Sequence, residues 1–332
     1  MATQHISQKG CTILFSRRTV IFIVALVCIF PMVAYAEDIL IGTETAGTFS
    51  HFVGRTICRA ISMHAENLSC QVLPAPDGIH NLTNLQGGSL DMALTDSHLL
   101  ADAINQTGQF AFLDIRYDNL GSLFPLYDLP IVLVSRSDAD IADLDQLKGK
   151  RINAGVPRSK ERQAVDWIMA AKGWTAADFK LFEALPASLS QDTMAFCHGS
   201  IQAMVNIGVH PDSKFQQLLE LCNAVPVNMD DSDIAKMVDG HPGFLRTLIP
   251  AQTYPSFKNP VSTFATTTLL VASKSLDAET TLSIMAAIEQ YQDKLKSIHP
   301  ALGQFSVKPS DGPDIGIALH PGAAAFFASQ GN

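Results

Sequence analysis

Residues 39–64 read ILIGTETAGTFSHFVGRTICRAISMH, and this stretch decides the fold. The apolar run Ile39 to Gly42 is short and β-forming, a Thr/Gly-rich turn follows, and from about His51 to His64 the apolar residues recur at helical spacing. The same alternation continues downstream. Gln71 to Leu73 is the next strand, Asn81 to Leu85 lies on the next helix, and Asp91 to Thr95 is a third strand closing on Asp96-Ser97. Short apolar strands alternating with amphipathic helices predict an α/β fold whose sheet is covered by helices on both faces. In open sheets of this kind ligands bind beyond the carboxyl ends of the strands, so the polar strand-end turns are the first candidates for a site.

A second unit is expected to begin near Pro130, with Ile131 to Ser135 as its first strand. In the segment Leu144 to Ile152 a short helix stops at Gly149 before a strand that runs to about Gly155. Pro157-Arg158-Ser159 then opens a helix to about Lys172, and Ala203 to Ile207 is a further strand. Beyond Pro250, Tyr254-Pro255 and Asn259-Pro260 punctuate a crossover. The long β-branched run Phe264 to Ala272 is expected to return to the first unit, where helices over about 278–298 and 321–328 would pack. The expected lobes are therefore residues 37–129, 130–255 and 256–332, the last rejoining the first. No fixed-period repeat or low-complexity tract interrupts them.

Residues 1–36 have the layout of a secretory signal: Lys9, Arg17 and Arg18, an apolar run from Val20 to Val33, and Ala34-Tyr35-Ala36 as the cleavage pattern. The run is shorter than the roughly 20 residues of a spanning helix and contains Pro31. A soluble mature chain starting at Glu37 is expected. Loss of those three cations takes the 23 basic residues to 20 against 32 acidic ones, a net charge of about −12, which argues against nucleic acid as a partner. Of the six cysteines, Cys58, Cys70, Cys197 and Cys222 remain, an even number that suits an exported protein with two disulfides. Four cysteines allow three connectivities. The local pairs Cys58–Cys70 and Cys197–Cys222 are favoured, with free buried thiols as the alternative. No C-x-x-C or His–Cys cluster points to a metal, and Asp311-Gly-Pro-Asp314 lacks the glutamate that would complete a calcium loop.

Seven segments in order resemble one family. They are Ile41-Gly42-Thr43, Ile57-Cys58, Leu90-Asp91 leading to Ser97, Asp145 to Arg151, Ala170-Ala-Lys-Gly-Trp174, His210-Pro211 and Leu319 to Ala324; the paired cysteines add to the likeness. Together they are similar to the TAXI-type solute receptors of tripartite ATP-independent (TRAP) transporters, within the type II periplasmic binding-protein superfamily. The resemblance implies two lobes, each a sheet flanked by helices, with a ligand cleft between them and hinge closure on binding. It also implies an inner-membrane permease as partner, no cofactor, a monomer, and a small carboxylate such as glutamate or 2-oxoglutarate as ligand. The pocket loops depart from the family. Ser50 and His51 stand where two tyrosines are usual, Ala75-Pro-Asp-Gly78 replaces Thr-Gly-Gly-Ser, Asp96-Ser97-His98 keeps only the serine of Gln-Ser-Asp, and Pro157-Arg-Ser-Lys160 replaces Pro-Gly-Ser-Gly, with Arg162 retained.

The loops still have the chemistry of an anion site, because helix N-termini present unpaired N–H groups and partial positive charge. Thr43 opens the first loop, Gly47 and Gly78 permit close backbone approach, and Ser50, Ser97 and Ser159 add hydroxyl donors, each also a fair helix cap. Arg158 and Lys160 lie at a helix start, where a cation opposes the dipole and so needs another cause; a guanidinium at Arg158 or Arg162 can grip a carboxylate through two parallel hydrogen bonds. Asp96 can receive a ligand ammonium or pair with Arg158. His51 and His98 fall near the same loops without a metal-ligand spacing. An enzyme is not expected, since no G-x-S-x-G, G-x-x-x-x-G-K or strand-following G-x-G-x-x-G occurs. A periplasmic sensor acting on a membrane kinase would share the fold and the pocket.

Overall fold

The computed structural model describes residues 36–185, 191–308 and 315–331. The proposed signal up to Tyr35 and the Asp311–Asp314 segment lie outside them. Along the chain come β1 (Glu37–Thr43), α1 (Phe49–His64), β2 (Leu68–Pro74), α2 (Gly78–Gln86), β3 (Met92–Asp96), α3 (Ser97–Asn105) and the long β4 (Leu120–Arg136). Then follow β5 (Arg151–Asn153), α4 (Lys160–Lys172), β6 (Leu181–Glu183), α5 (Gln191–Cys197), β7 (Ala203–Ile207), α6 (Ser213–Leu221), β8 (Ala224–Val227), α7 (Ser232–Gly240) and β9 (Phe244–Ile249). The chain ends with β10 (Val261–Ser273), α8 (Ala278–Gln290), α9 (Gln292–Lys296) and α10 (Pro321–Ser329).

The strands form one path, β2-β1-β3-β10-β4-β7-β5-β6, with β8 added to β4 and β9 to β10. At one end β1 runs parallel to β2 and β3; at the other β5 runs parallel to β6 and β7. Each trio is thus a parallel unit with its first strand in the middle, and the antiparallel pair β4–β10 joins the two.

Period-2 alternation explains the layers. In β1, Ile39 and Ile41 join one apolar cluster, built with α1, α8 and α10, while Leu40 packs on another with α2 and α3. β10 divides likewise, Leu270 and Ala272 to the first and Leu269 and Val271 to the second. In the other half Ile131 and Leu133 face α4 and α7, whereas Val132 and Val134 face α6 and the Tyr254–Phe257 segment. Both faces of each half are covered, which makes the fold α/β.

The helix starts are capped as their sequences require: Thr48, Asp77, Ser159, Asp212, Asp231 and Asp277 each accept a backbone N–H from the first turn. Two disulfides form, Cys58–Cys70 and Cys197–Cys222, with Cα separations of 5.0 and 4.3 Å. One boundary departs from expectation. The strand expected from Ile131 begins at Leu120 and contains Pro125 and Pro130. A proline cannot donate to a ladder, and both sit where none is asked: Pro125 at a register irregularity opposite Leu269, Pro130 one residue before the pairing with β7 starts at Ile131. No described helix is long and apolar enough to cross a membrane.

Candidate functional site

Strand-end loops of the two parallel units meet at one ion cluster. Asp96, the last residue of β3, has a carboxylate that accepts from Lys160 Nζ at 2.8 Å and from Thr268 Oγ1 at 2.9 Å. Lys160 is the first residue of α4 and also pairs with Glu44, in the loop after β1. Burial pushes the Asp96 carboxyl up, but Lys160 and the hydrogen bonds outweigh it, and the net direction is down. Burial works against the Lys160 ammonium; the Asp96 and Glu44 charges reverse that and raise its pKa above the ordinary lysine value. Tyr127 belongs to the same group: burial raises its phenol, and the negative charge of Asp96 adds to the effect. Its ring meets Phe49 edge-on at 4.9 Å.

A cavity of about 310 Å³ is lined by Phe49 from the first unit, whose ring packs on Tyr127, and by Glu161, Asn206, Gly208, Asp212 and Lys214 from the second. A larger groove of about 470 Å³ is lined by α7, β9, the start of β10 and the segment before α7, with no residue of β1, α1 or the loop between them. The smaller cavity is the better candidate because Phe49, at the start of α1 in the first unit, closes it against the end of β7 and the loop before α6 in the second.

A second junction lies next to the first. Ser97 Oγ donates to Gly243 O at 2.6 Å and accepts from Thr267 N at 2.9 Å. His98 is buried, stands edge-on to Trp167 at 4.7 Å and lies 3.3 Å from Gln163 Oε1 through Nε2. Burial lowers its pKa to about 4; Asp96 and Asp102 favour the charged form and Lys160 opposes it. Gly243 passes so close that a Cβ there would lie 2.4 Å from His98 Cα.

The nine nominated residues divide unequally. Thr43 is buried with its hydroxyl 3.0 Å from His51 Nδ1, and Ser50 is buried with an unpartnered Oγ. Asp96 joins the ion cluster, and Ser97 is occupied by backbone groups. Gly47, at φ 93°, turns the exposed first loop, and Gly78 opens α2 against Leu99. Ser159 caps α4 by accepting from Arg162 N at 3.1 Å. Arg162 pairs with Asp166 one turn on and lies over the Phe182 ring. Arg158 is exposed, at φ 72°, with no polar partner among the described residues. The cation that meets Asp96 is therefore Lys160 and not Arg158, because Arg158 lies in the turn ahead of the cap while Lys160 begins the helix. None of the nine lines the 310 Å³ cavity; their chain neighbours Phe49 and Glu161 do. Glu44, Tyr127 and Gln163 were not nominated. Only Lys160 left a mark in the sequence, as a cation at a helix start. Among the described residues no group of three or more His, Cys, Asp or Glu is placed to hold a metal.

A model of the NMT1-like family matches residues 41–331. Several solved structures share the architecture. A TctC solute-binding protein from Polaromonas is 15% identical over 89% of this chain and 98% of its own, with a TM-score of 0.53. MatC from Rhodopseudomonas palustris with bound malate is 13% identical over 90% and 98%, at 0.52. PhnD1 from Prochlorococcus marinus, in complex with methylphosphonate, is 11% identical over 89% and 98%, at 0.50. At these identities the likeness is one of fold, the two-lobe fold of periplasmic solute-binding proteins.

Proposed function

Because the chain belongs to the NMT1-like family, we propose that it is a periplasmic solute receptor that closes two lobes on a small carboxylate and delivers it to a TRAP-type permease of the inner membrane. In this proposal residues 1–36 direct export, residues 37–129 and 256–332 form one lobe, and residues 130–255 form the other. The receptor acts as a monomer, without a cofactor and without turning over its ligand. The observation that carries it is the meeting of strand-end loops from both parallel units at Asp96 and Lys160, together with a cavity that both units line. The seven ordered segments favour the TAXI type, and the malate bound to MatC favours a carboxylate of the glutamate or 2-oxoglutarate kind.

The residues divide the work as follows. The N-termini of α1 and α4, with Ser50 and Ser159 close by, supply N–H and hydroxyl donors to a carboxylate. Thr43, Gly47, Gly78 and Ser97 shape the loops, Asp96 supplies an acceptor, and Arg158 and Arg162 add positive charge at the rim of the second lobe. A thermal-shift screen of the purified protein against amino acids and dicarboxylates tests this. A ligand at 100 times its Kd adds about 2.7 kcal/mol of stability. Stabilisation by glutamate, 2-oxoglutarate or a related acid is expected; binding of other solutes while every small carboxylate fails would refute the ligand class.

A further inference from the structure

Lys160 begins α4, where its ammonium opposes the positive end of the helix dipole, so carboxylates must hold it there. Both come from the other unit, and they are not equivalent. Asp96 is fixed: its side chain is 6% exposed and it also accepts from Thr268. Glu44 is 26% exposed, and Lys160 is the partner of its carboxylate among the described residues. Thr45, Ala46 and Gly47, which follow it, are exposed, and the loop turns at Gly47 with φ 93°. Two carboxylates around one ammonium leave surplus negative charge. The loop of Glu44 ends at Phe49 and the helix of Lys160 continues into Glu161, both lining the 310 Å³ cavity.

Lys160 does not itself line that cavity, but its side chain is 34% exposed, so a carboxylate held between Phe49 and Glu161 approaches an ammonium already claimed. We propose that Glu44 is an internal competitor for Lys160: its carboxylate and that of a ligand contend for the same ammonium, and binding exchanges one ion pair for the other as the exposed loop swings away. This rests on the carboxylate-receptor function proposed above and adds a specificity-determining residue to it. Since one charge merely replaces another, a simple monocarboxylate gains little from the exchange. A ligand that brings further hydrogen-bonding groups is selected. In the ligand-free protein this pair adds to the Asp96–Lys160 contact between the two units.

Glutamate and 2-oxoglutarate are the probes, titrated by calorimetry into the unaltered protein, E44Q and E44A. The substitutions fall on a partly exposed loop side chain and leave Asp96 to hold Lys160, so folding is retained. Removing a partly exposed ion-pair competitor is expected to tighten binding several-fold, up to about tenfold. Equal affinities in all three proteins overturn the competitor role alone. Failure of both probes on every protein overturns the carboxylate function and the competitor role with it.

Discussion

Ser97 illustrates how a fold can absorb a polar residue that sequence offers to a ligand. Its hydroxyl donates to Gly243 O and accepts from Thr267 N, groups 146 and 170 residues away in the chain. Ser97→Ala leaves the Thr267 N–H and the Gly243 carbonyl buried without that partner, and an unsatisfied buried group costs about 1–3 kcal/mol. Urea unfolding should show a loss of that size, and a loss under about 0.5 kcal/mol would show that the bond contributes nothing. Asp96 stands one residue earlier with a different environment, its carboxylate held by an ammonium and a threonine hydroxyl. Residue type marked both as candidates, whereas their partners, which decide what each does, come from distant segments.

At the scale of elements, the strand and helix pattern was legible because hydrophobic period is local. β1, β3, β7 and α4 fall close to where alternation, caps and glycines place them. β4 was only half legible, since the sequence reading opens its strand at Ile131, after Pro130; whether a strand tolerates a proline depends on how its neighbours pair there, and distant strands settle that. The disulfides act on elements too. Cys58–Cys70 ties α1 to β2 across 12 residues of sequence, and Cys197–Cys222 ties the end of α5 to the end of α6 across 25. Closing loops of these lengths restricts the unfolded chain and stabilises by about 3 kcal/mol each. The pair Cys197→Ser/Cys222→Ser should lower unfolding free energy by about that amount, with slightly less for Cys58→Ser/Cys70→Ser. Equal stability of the parent protein with and without reductant would contradict it.

For the molecule as a whole, His98 couples stability to pH through the contact between the two units. Folded, its pKa is held down to about 4; unfolded it is about 6.5. Between those values the unfolded chain binds more protons, so stability is complete above about pH 6.5 and falls as pH drops toward 4, by about 1.4 kcal/mol per unit. His210, also pushed to about 4 by burial, adds a loss of the same sign. His98→Phe keeps a ring against Trp167 and removes one proton site, so unfolding measured from pH 7 to 4 should show a shallower slope that is not flat. An unaltered slope would place the titration elsewhere.

Alternation and turn chemistry are properties of neighbouring residues, and so the α/β class, the order of strands and helices, and the strand ends as the place to look for a site were legible along the chain. Three facts emerge from packing alone: Lys160 and not Arg158 meets Asp96, Glu44 shares that ammonium, and Ser97 and His98 join the two units. Those contacts, Glu44–Lys160 included, span 64 to 146 residues of chain. Their formation depends on how the packed units meet, which local pattern does not encode.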